Sequence, residues 1–563
     1  MNDEVKFTPA IYFSVALVSG AIIAYELFVM RVFANGGWAH FGSTVISIAM
    51  FGFGVFSTIL CIWRPIFKAR SGFWINLALI GLGPLMVAAN IVAQQIPFNP
   101  IFLVSDPDQK YLLTLLFVIY FIPFLFGAGF LGMIFLTGQQ DFGKVYFANM
   151  TGSGLGGLFI FITMYYLRPE QLFIIPVLIW ALGLILWLIG KSQKKLIPVA
   201  IVVAILTLVG GQQFPQVNIS AFKGVSYAKN FPDSQRVYDN AGPFGYLEVY
   251  LSSYFHFAPG LSDTASLHLK EMPEKAYLGM YIDGDGPIGI MKKLPPSQTE
   301  YIKFLPLSMP YLLKPQADVL VMQFGGGIST NVALNQGARQ VTVAEGNPMV
   351  VEAMRDSSYI SDFTGHILAD PRVKLVPYDG RIFVAQTQGQ YDIVDLSLAD
   401  STGLSMPGGS SIYEKYNYTK ETLQSCLKAL KKGGVLAITV WNKEDPPKST
   451  LKLMRSLIEA GLESGTKDIK QDLFMAHTYL STLTMLYKAG GFSAAEVQQI
   501  DDYCHQMSFG IIYEPGQAKP AGDLERIFQA YRDAYFAPEE NENLGADVDM
   551  SADNLYRLVA DRL

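Results

Sequence analysis

Seven apolar runs, near residues 11–34, 44–63, 73–93, 111–138, 145–167, 171–190 and 196–211, occupy almost all of the chain before residue 211. A helix rises about 1.5 Å per residue, so about 20 apolar residues cross the ~30 Å of hydrocarbon in a bilayer. Within that hydrocarbon every backbone N–H and C=O must find its partner inside the chain, which leaves the helix as the form for runs of this length. Seven transmembrane helices are therefore expected, with 196–211 the shortest. The chain is 51% hydrophobic and 16% charged, too apolar for one water-facing globule, and the excess is concentrated in this first part. The first run is too long for a secretory signal and lacks a small-residue cleavage site at its end, so it is expected to stay as an anchor.

Basic residues set the expected orientation. Lys6, Arg64, Lys68, Arg70, Lys144, Lys191, Lys194 and Lys195 fall on one side of the path, and Lys110 and Arg168 on the other. Lys and Arg stay cytoplasmic, which puts the N-terminus inside. Seven crossings then carry the rest of the chain to the non-cytoplasmic side, whereas six would return it to the cytoplasm. The expected location is the cell inner membrane, multi-pass, with the soluble part on the non-cytoplasmic face. Glu26 and Arg31, in YELFVMR, lie in or at the end of the first run. Ionisable groups in hydrocarbon cost a few kcal/mol, so Arg31 is expected to reach the interface and Glu26 to pair with it or with another helix. Gly152, Gly154, Gly156 and Gly157, in VYFANMTGSGLGGLFIF, mark a helix suited to close internal packing.

From about residue 215 short alternating runs replace the apolar stretches. RVYDNAGPFGYLEVYL and KAYLGMYIDGDGPIGI read as strands bounded by Gly, Pro and Asp, which gives a small β-rich subdomain over 215–300. EYIKFLPLSMPYLL reads as a helical lead-in. Across 301–516 the strands DVLVMQF, QVTVAE, VKLVPYDG, YDIVDLSL and VLAITVW alternate with helical stretches. Such alternation indicates a parallel, doubly wound α/β sheet of Rossmann-like type, which takes ligands at the carboxyl ends of its strands. The acidic segment from 517 to 563 is expected to be a loose connector ending in a short amphipathic helix, NLYRLVADRL.

The strand ends define a candidate site. Gly325, Gly326 and Gly327 follow the first strand of this sheet, and glycines let backbone N–H groups approach a ligand through a tight turn. Glu345 ends the second strand, where a carboxylate accepts hydrogen bonds from ribose hydroxyls. Asp379 and Gly380 follow the third strand, where an acid can meet the amino group of a purine. Ser397 to Asp400 follow the fourth. Together they describe a nucleoside-type pocket.

The order and spacing of these motifs resemble the spermidine synthase group, aminopropyltransferases with the class I methyltransferase-like fold, and more closely their membrane-fused bacterial relatives. In the first part the resemblance rests on YELFVMR and VYFANMTGSGLGG. In the second it rests on the glycine loop, VAEGNP, YDGRIF, YDIVDLSLAD, YEKYNYTKET, LKKGGVLAITVW, and GFSAAEV followed by YEPG. It implies a reaction in which an amine attacks the carbon beside the sulfonium of decarboxylated adenosylmethionine, with a carboxylate taking the proton. Adenosylmethionine or its decarboxylated form would be the cofactor, and a polyamine or nucleoside the ligand.

In the family the base opens the pattern D-x-x-D-P, and this chain reads S-L-A-D-S. Ser397 therefore stands at the base position and Ser401 at the proline. Asp400, the second acid, is kept as the candidate catalytic residue. A serine hydroxyl is no base near neutral pH without help. Gln323 stands where the family loop begins with glycine, and Asn347 replaces an acid common after Glu345. Asp395 shares a strand face with Ser397 and is expected to be more buried.

Fold can outlive chemistry. The expected function is a membrane-embedded spermidine synthase-like protein, catalytically degenerate or altered, that serves as a binding or scaffold subunit with a protein partner in a membrane complex. The alternative is an active aminopropyl- or methyl-transferase using an adenosylmethionine-type donor. A net charge of -6 and the lack of a basic cluster exclude a nucleic-acid partner. Cys61, Cys426 and Cys504 form neither a disulfide framework nor a metal spacing and read as buried small hydrophobes. The six histidines show no ligand spacing, so no metal site is expected.

Overall fold

The computed structural model describes residues 7–37, 39–103, 105–255, 258–398, 416–442, 448–478 and 481–516. Asp400, Ser401, the loop STGLSMPGGSS and the acidic tail from 517 lie outside the described residues. The chain divides into two compact units. One holds 1–227 with 239–247 and 282–284, and the other holds 228–238, 248–281 and 285 onward.

The first unit contains α1 (Pro9–Gly36), α2 (Ala39–Ile62), the short α3 (Arg64–Ala69), α4 (Ser71–Ala93), α5 (Asp108–Thr137), α6 (Phe142–Thr163), α7 (Ile174–Gly190), α8 (Ile197–Gln213) and the start of α9 (Gly224–Asn230). Seven helices are long and apolar enough to cross a membrane, and the seventh, Lys194–Gln213, reaches 20 residues. They are compatible with a multi-pass membrane protein. α1 is the central packing element, with Val15, Val18, Ala24 and Val29 fully buried. Its contact with α6 is backbone to backbone: a Cβ on Gly152 would lie 2.0 Å from Ala16 O, and one on Gly156 would lie 2.3 Å from Gly20 Cα. Only glycine permits that approach. The expectation of an internal helix is corrected in part, because α6 packs on one face only. Phe147, Leu155 and Phe159 on its other face are exposed, as suits lipid-facing side chains.

Arg31 does not pair with Glu26. Its Nη1 lies 3.0 Å from Asp283 Oδ2, and Glu26 forms no ion pair among the described residues. The reason is geometric: Arg31 sits one turn from the end of α1, where Asp283 belongs to the same unit, and Lys223 Nζ donates to Ala34 O at 2.7 Å to close the helix end. Arg168 likewise meets Asp239 at 2.9 Å. Cys426 and Cys504 are buried as expected, while Cys61 is exposed on α2.

The two stretches read as strands of a small β-rich subdomain each fold into a hairpin. They form a four-stranded sheet in the order β1 (Gln235–Gly242), β2 (Gly245–Leu251), β3 (Tyr277–Ile282) and β4 (Asp285–Met291). Two-residue links at 243–244 and 283–284 turn each strand back on itself. Between the hairpins lies α10 (Ala265–His268). The lead-in EYIKFLPLSMPYLL is broken by Pro306 and Pro310 into 3-10 turns and the short α11 (Met309–Leu313).

The main α/β part follows with β5 (Asp318–Val321), α12 (Ile328–Asn335), β6 (Gln340–Ala344), α13 (Pro348–Asp356), α14 (Ser358–Thr364), β7 (Val373–Val376), α15 (Gly380–Ala385), β8 (Tyr391–Asp395), α16 (Lys420–Ala429) and β9 (Leu430–Trp441). After these come α17 (Lys448–Glu463), α18 (Ile469–Asp472), β10 (Leu473–Thr478), β11 (Thr482–Lys488), α19 (Ala494–Met507) and β12 (Gly510–Tyr513). The sheet order is β12-β10-β11-β9-β8-β5-β6-β7. β9, β8, β5, β6 and β7 pair in parallel, whereas β11, β10 and β12 add antiparallel. The expected parallel sheet is thus mixed. The connection from β10 to β11 is too short for a crossover helix, which forces an antiparallel turn. Leu436, Ile438 and Val440 of β9 pack to one side with α16 and α17, and Val435 and Ala437 to the other with α19. Burial on both faces explains the near-continuous apolar strands.

Candidate functional site

The carboxyl ends of β5, β6, β7 and β8 form the candidate site. β5 runs into the glycine loop, where Gly325 (φ 55) and Gly327 (φ 78) adopt the left-handed conformation and Gly327 caps α12. Gly326 serves a different need: a Cβ there would lie 1.8 Å from Gly289 O. The loop backbone therefore rests directly on β4. A Cβ on Gly380 would lie 2.1 Å from Met322 O, so α15 starts tight against the end of β5. The six cofactor-type residues expected from the sequence, Gly325, Gly326, Gly327, Glu345, Asp379 and Gly380, do converge on one edge.

Their side chains are engaged with their own backbone. Glu345 is 4% exposed. Its Oε2 accepts from Gly325 N at 3.1 Å and its Oε1 from Asn347 N at 2.8 Å, so one carboxyl joins the two loops. Burial pushes its pKa up to about 7, against the lowering effect of these N–H donors. Asp379 caps α15 by accepting from Arg381 N at 2.8 Å and grips the Arg381 guanidinium, which holds its carboxyl below the ordinary range. Arg381 in turn lies 4.9 Å from the centre of the Tyr416 ring. Asn347 caps α13 by accepting from Met349 N at 3.0 Å.

Ser397 is engaged with backbone in the same way. Ser397 is buried, and its Oγ accepts from Thr439 N at 3.0 Å. Asp395 is 2% exposed, its Oδ1 accepts from Ser397 N at 2.7 Å, and burial raises its pKa. That is the deeper, same-face placement the strand alternation predicts. Gln323 turns its amide oxygen to Asn417 Nδ2 at 3.1 Å. Where the ends of β5 and β8 meet β4 and β9, the described residues leave a cavity of about 30 Å3 beside Ser397, walled by Gln323, Phe324, Ser397, Ile288, Leu398 and Trp441; Glu345 and Asp379 do not line it. Small-molecule sites run to about 300 Å3 or more, and a water takes about 30 Å3 of liquid. Ile288, Leu398 and Trp441 carry no sequence signal for this task. Leu398 adopts φ 52 and hangs from Thr439 O through its own N–H at 2.8 Å, a conformation only tertiary contacts impose. Among the described residues no group of three or more His, Cys, Asp or Glu stands close enough to hold a metal ion.

Residues 299–497 match the family model described as the spermine/spermidine synthase domain. A polyamine aminopropyltransferase of Korarchaeum cryptofilum is 31% identical over 139 residues, 24% of this chain and 40% of the relative. One from Serratia proteamaculans is 33% identical over 129 residues, covering 23% and 41%. One from Oceanobacillus iheyensis is 24% identical over 310 residues, covering 54% and 52%. The chain thus spans about two fifths to one half of the length of these relatives. Among solved structures, a probable spermidine synthase from Corynebacterium glutamicum aligns with a TM-score of 0.33 at 13% identity, over 52% of this chain and 98% of that one. Spermidine synthase from Thermotoga maritima aligns with a TM-score of 0.31 at 14% identity, over 52% and 81%. The domain match falls on the same strands and loops that frame the site, so residues 299–497 are similar to the spermine/spermidine synthase domain, in a chain whose first part holds seven candidate membrane helices.

Proposed function

We propose that this protein is a membrane-embedded spermidine synthase-like binding or scaffold subunit whose aminopropyl-transfer site has closed. The observation that carries the reading is the 30 Å3 cavity at the strand ends, about a tenth of what a small-molecule ligand needs. The hydrogen bonds around it support the same reading. Glu345, which would hold a ribose, joins two loops, and Ser397, at the base position, binds the backbone of β9. Ser397 offers no carboxylate to take the amine proton, and the cavity beside it is too small for a nucleoside. The partner is proposed to be another membrane protein of the same complex, with the soluble part on the non-cytoplasmic side of the inner membrane.

The second reading, an active aminopropyl- or methyl-transferase, draws on the convergence of the glycine loop, Glu345 and Asp379 at one edge, with Asp400 as its base. Calorimetry on the detergent-solubilised full chain separates the two. Methylthioadenosine and decarboxylated adenosylmethionine are expected to give no saturable heat. Micromolar binding that disappears in Glu345→Gln, together with spermidine formed from putrescine at an enzymatic rate, would overturn the proposal.

A further inference from the structure

The end of the helical bundle where α8 finishes encloses a second and larger cavity, of about 350 Å3, entirely within the first unit. It lies between the α1–α2 junction, the end of α4, the middle of α5 and residues 218–221. Two aromatic pairs stand in its wall. Phe33 and Tyr120 meet with ring centres 5.5 Å apart, and Phe41 and Phe98 meet edge to face at 5.7 Å. Between them the amides of Gln94, Asn99 and Asn218 supply polar atoms.

These groups are fixed in advance by their own hydrogen bonds. Tyr120 donates to Asn90 Oδ1 at 2.8 Å, and Asn90 Nδ2 donates to Gln216 O and Oε1 at 2.9 Å each. Asn218 N donates to Gln94 Oε1 at 2.6 Å, and Ser220 N to Gly36 O at 2.8 Å. A wall ordered before binding spares the ligand the entropy of ordering it. The volume falls in the range of small-molecule sites, and the mixture of aromatic faces with a few oriented polar groups is their usual chemistry.

Charge decides the ligand class. None of the described lining residues carries a carboxylate, ammonium or guanidinium. An ion of either sign would lose its water here without gaining a counter-charge, at a cost of several kcal/mol. We propose that this cavity binds an uncharged, ring-bearing amphiphile, whose carbonyl or hydroxyl oxygens accept from the amides and whose ring lies against the aromatic pairs.

The test uses the full chain in lipid nanodiscs, with decylubiquinone as the neutral probe and decyltrimethylammonium and decyl phosphate as charged probes of equal tail. Decylubiquinone is expected to bind saturably, one per chain, at least tenfold tighter than either charged probe. Ala221→Trp fills the mouth at an exposed position and is expected to weaken that binding at least tenfold with the melting temperature unchanged. Asn99→Asp keeps the acceptor that caps Ile101 N and adds a negative charge, so it is expected to weaken the quinone and strengthen the ammonium probe. A charged probe binding wild type as well as the quinone does would overturn the proposal. So would the absence of saturable quinone binding, or binding indifferent to both substitutions. Closure of the α/β site is measured separately, with nucleosides, so the two results are independent.

Discussion

Replacing Glu345 by glutamine tests whether its carboxyl is a buried structural clasp. In the folded chain burial pushes its pKa up to about 7, from an ordinary 4.5. Between those values the unfolded chain releases the proton while the folded chain keeps it, so the unfolded state binds fewer protons and stability falls as pH rises. The contribution is fully present below about pH 4.5 and lost by about pH 7. A gap of about 2.5 pH units at about 1.36 kcal/mol each amounts to about 3 kcal/mol.

Glu345→Gln has no proton to lose, but it turns an amide N–H2 toward one of the two donors, Gly325 N and Asn347 N. That mismatch costs about 1–3 kcal/mol at every pH. The variant should therefore be less stable than wild type at pH 4.5, and the difference should shrink or reverse by pH 8. A kilocalorie moves the melting temperature of a domain this size by about 2–4 °C, so the gap between the two curves should change by about 6–12 °C. Thermal unfolding of the detergent-solubilised chain, followed by near-UV circular dichroism from pH 4.5 to 8, reads this directly. Curves that stay parallel across the range would show that Glu345 is not held protonated by burial, and the clasp account would fail.

Two further perturbations address the helical unit. Gly156→Leu places its Cβ on the backbone of α1 at Gly20 and should destabilise by about 1–3 kcal/mol or more. Gly154→Leu, where nothing lies within 4 Å, should stay within about 0.5 kcal/mol of wild type; equal losses in a detergent melting assay would refute the one-sided packing of α6. Arg31→Met removes the charged partner of Asp283 at 3.0 Å and leaves it the Tyr246 N–H, and should cost about 1.5–3 kcal/mol, the range for a hydrogen bond to a charged group. Adding Asp283→Asn should recover part of that loss, and a double variant no more stable than Arg31→Met would rule out coupling between the two.

The local motifs of the α/β part were legible because each is written in a few adjacent residues. The triple glycine before α12, the acid ending β6 and the Asp379–Gly380 pair before α15 all stand where strand-to-helix turns require them. The three antiparallel strands at the sheet edge were not legible in the same way, since pairing direction depends on how a connection is routed in space. The fate of Arg31 was equally hidden, because Asp283 lies 252 residues away.

The sequence alone determined seven apolar spans, an α/β domain with a family resemblance and the identities of the residues at the strand ends, since hydrophobic length and turn chemistry are local properties of a chain. Only the tertiary structure decided that the cavity beside Ser397 holds about 30 Å3 while the one at the end of the helical bundle holds about 350 Å3. Cavity volume is set by side chains remote in sequence, such as Ile288 and Trp441 at one site and Phe33 and Asn218 at the other. No local pattern fixes how closely such groups pack once the chain has closed around them.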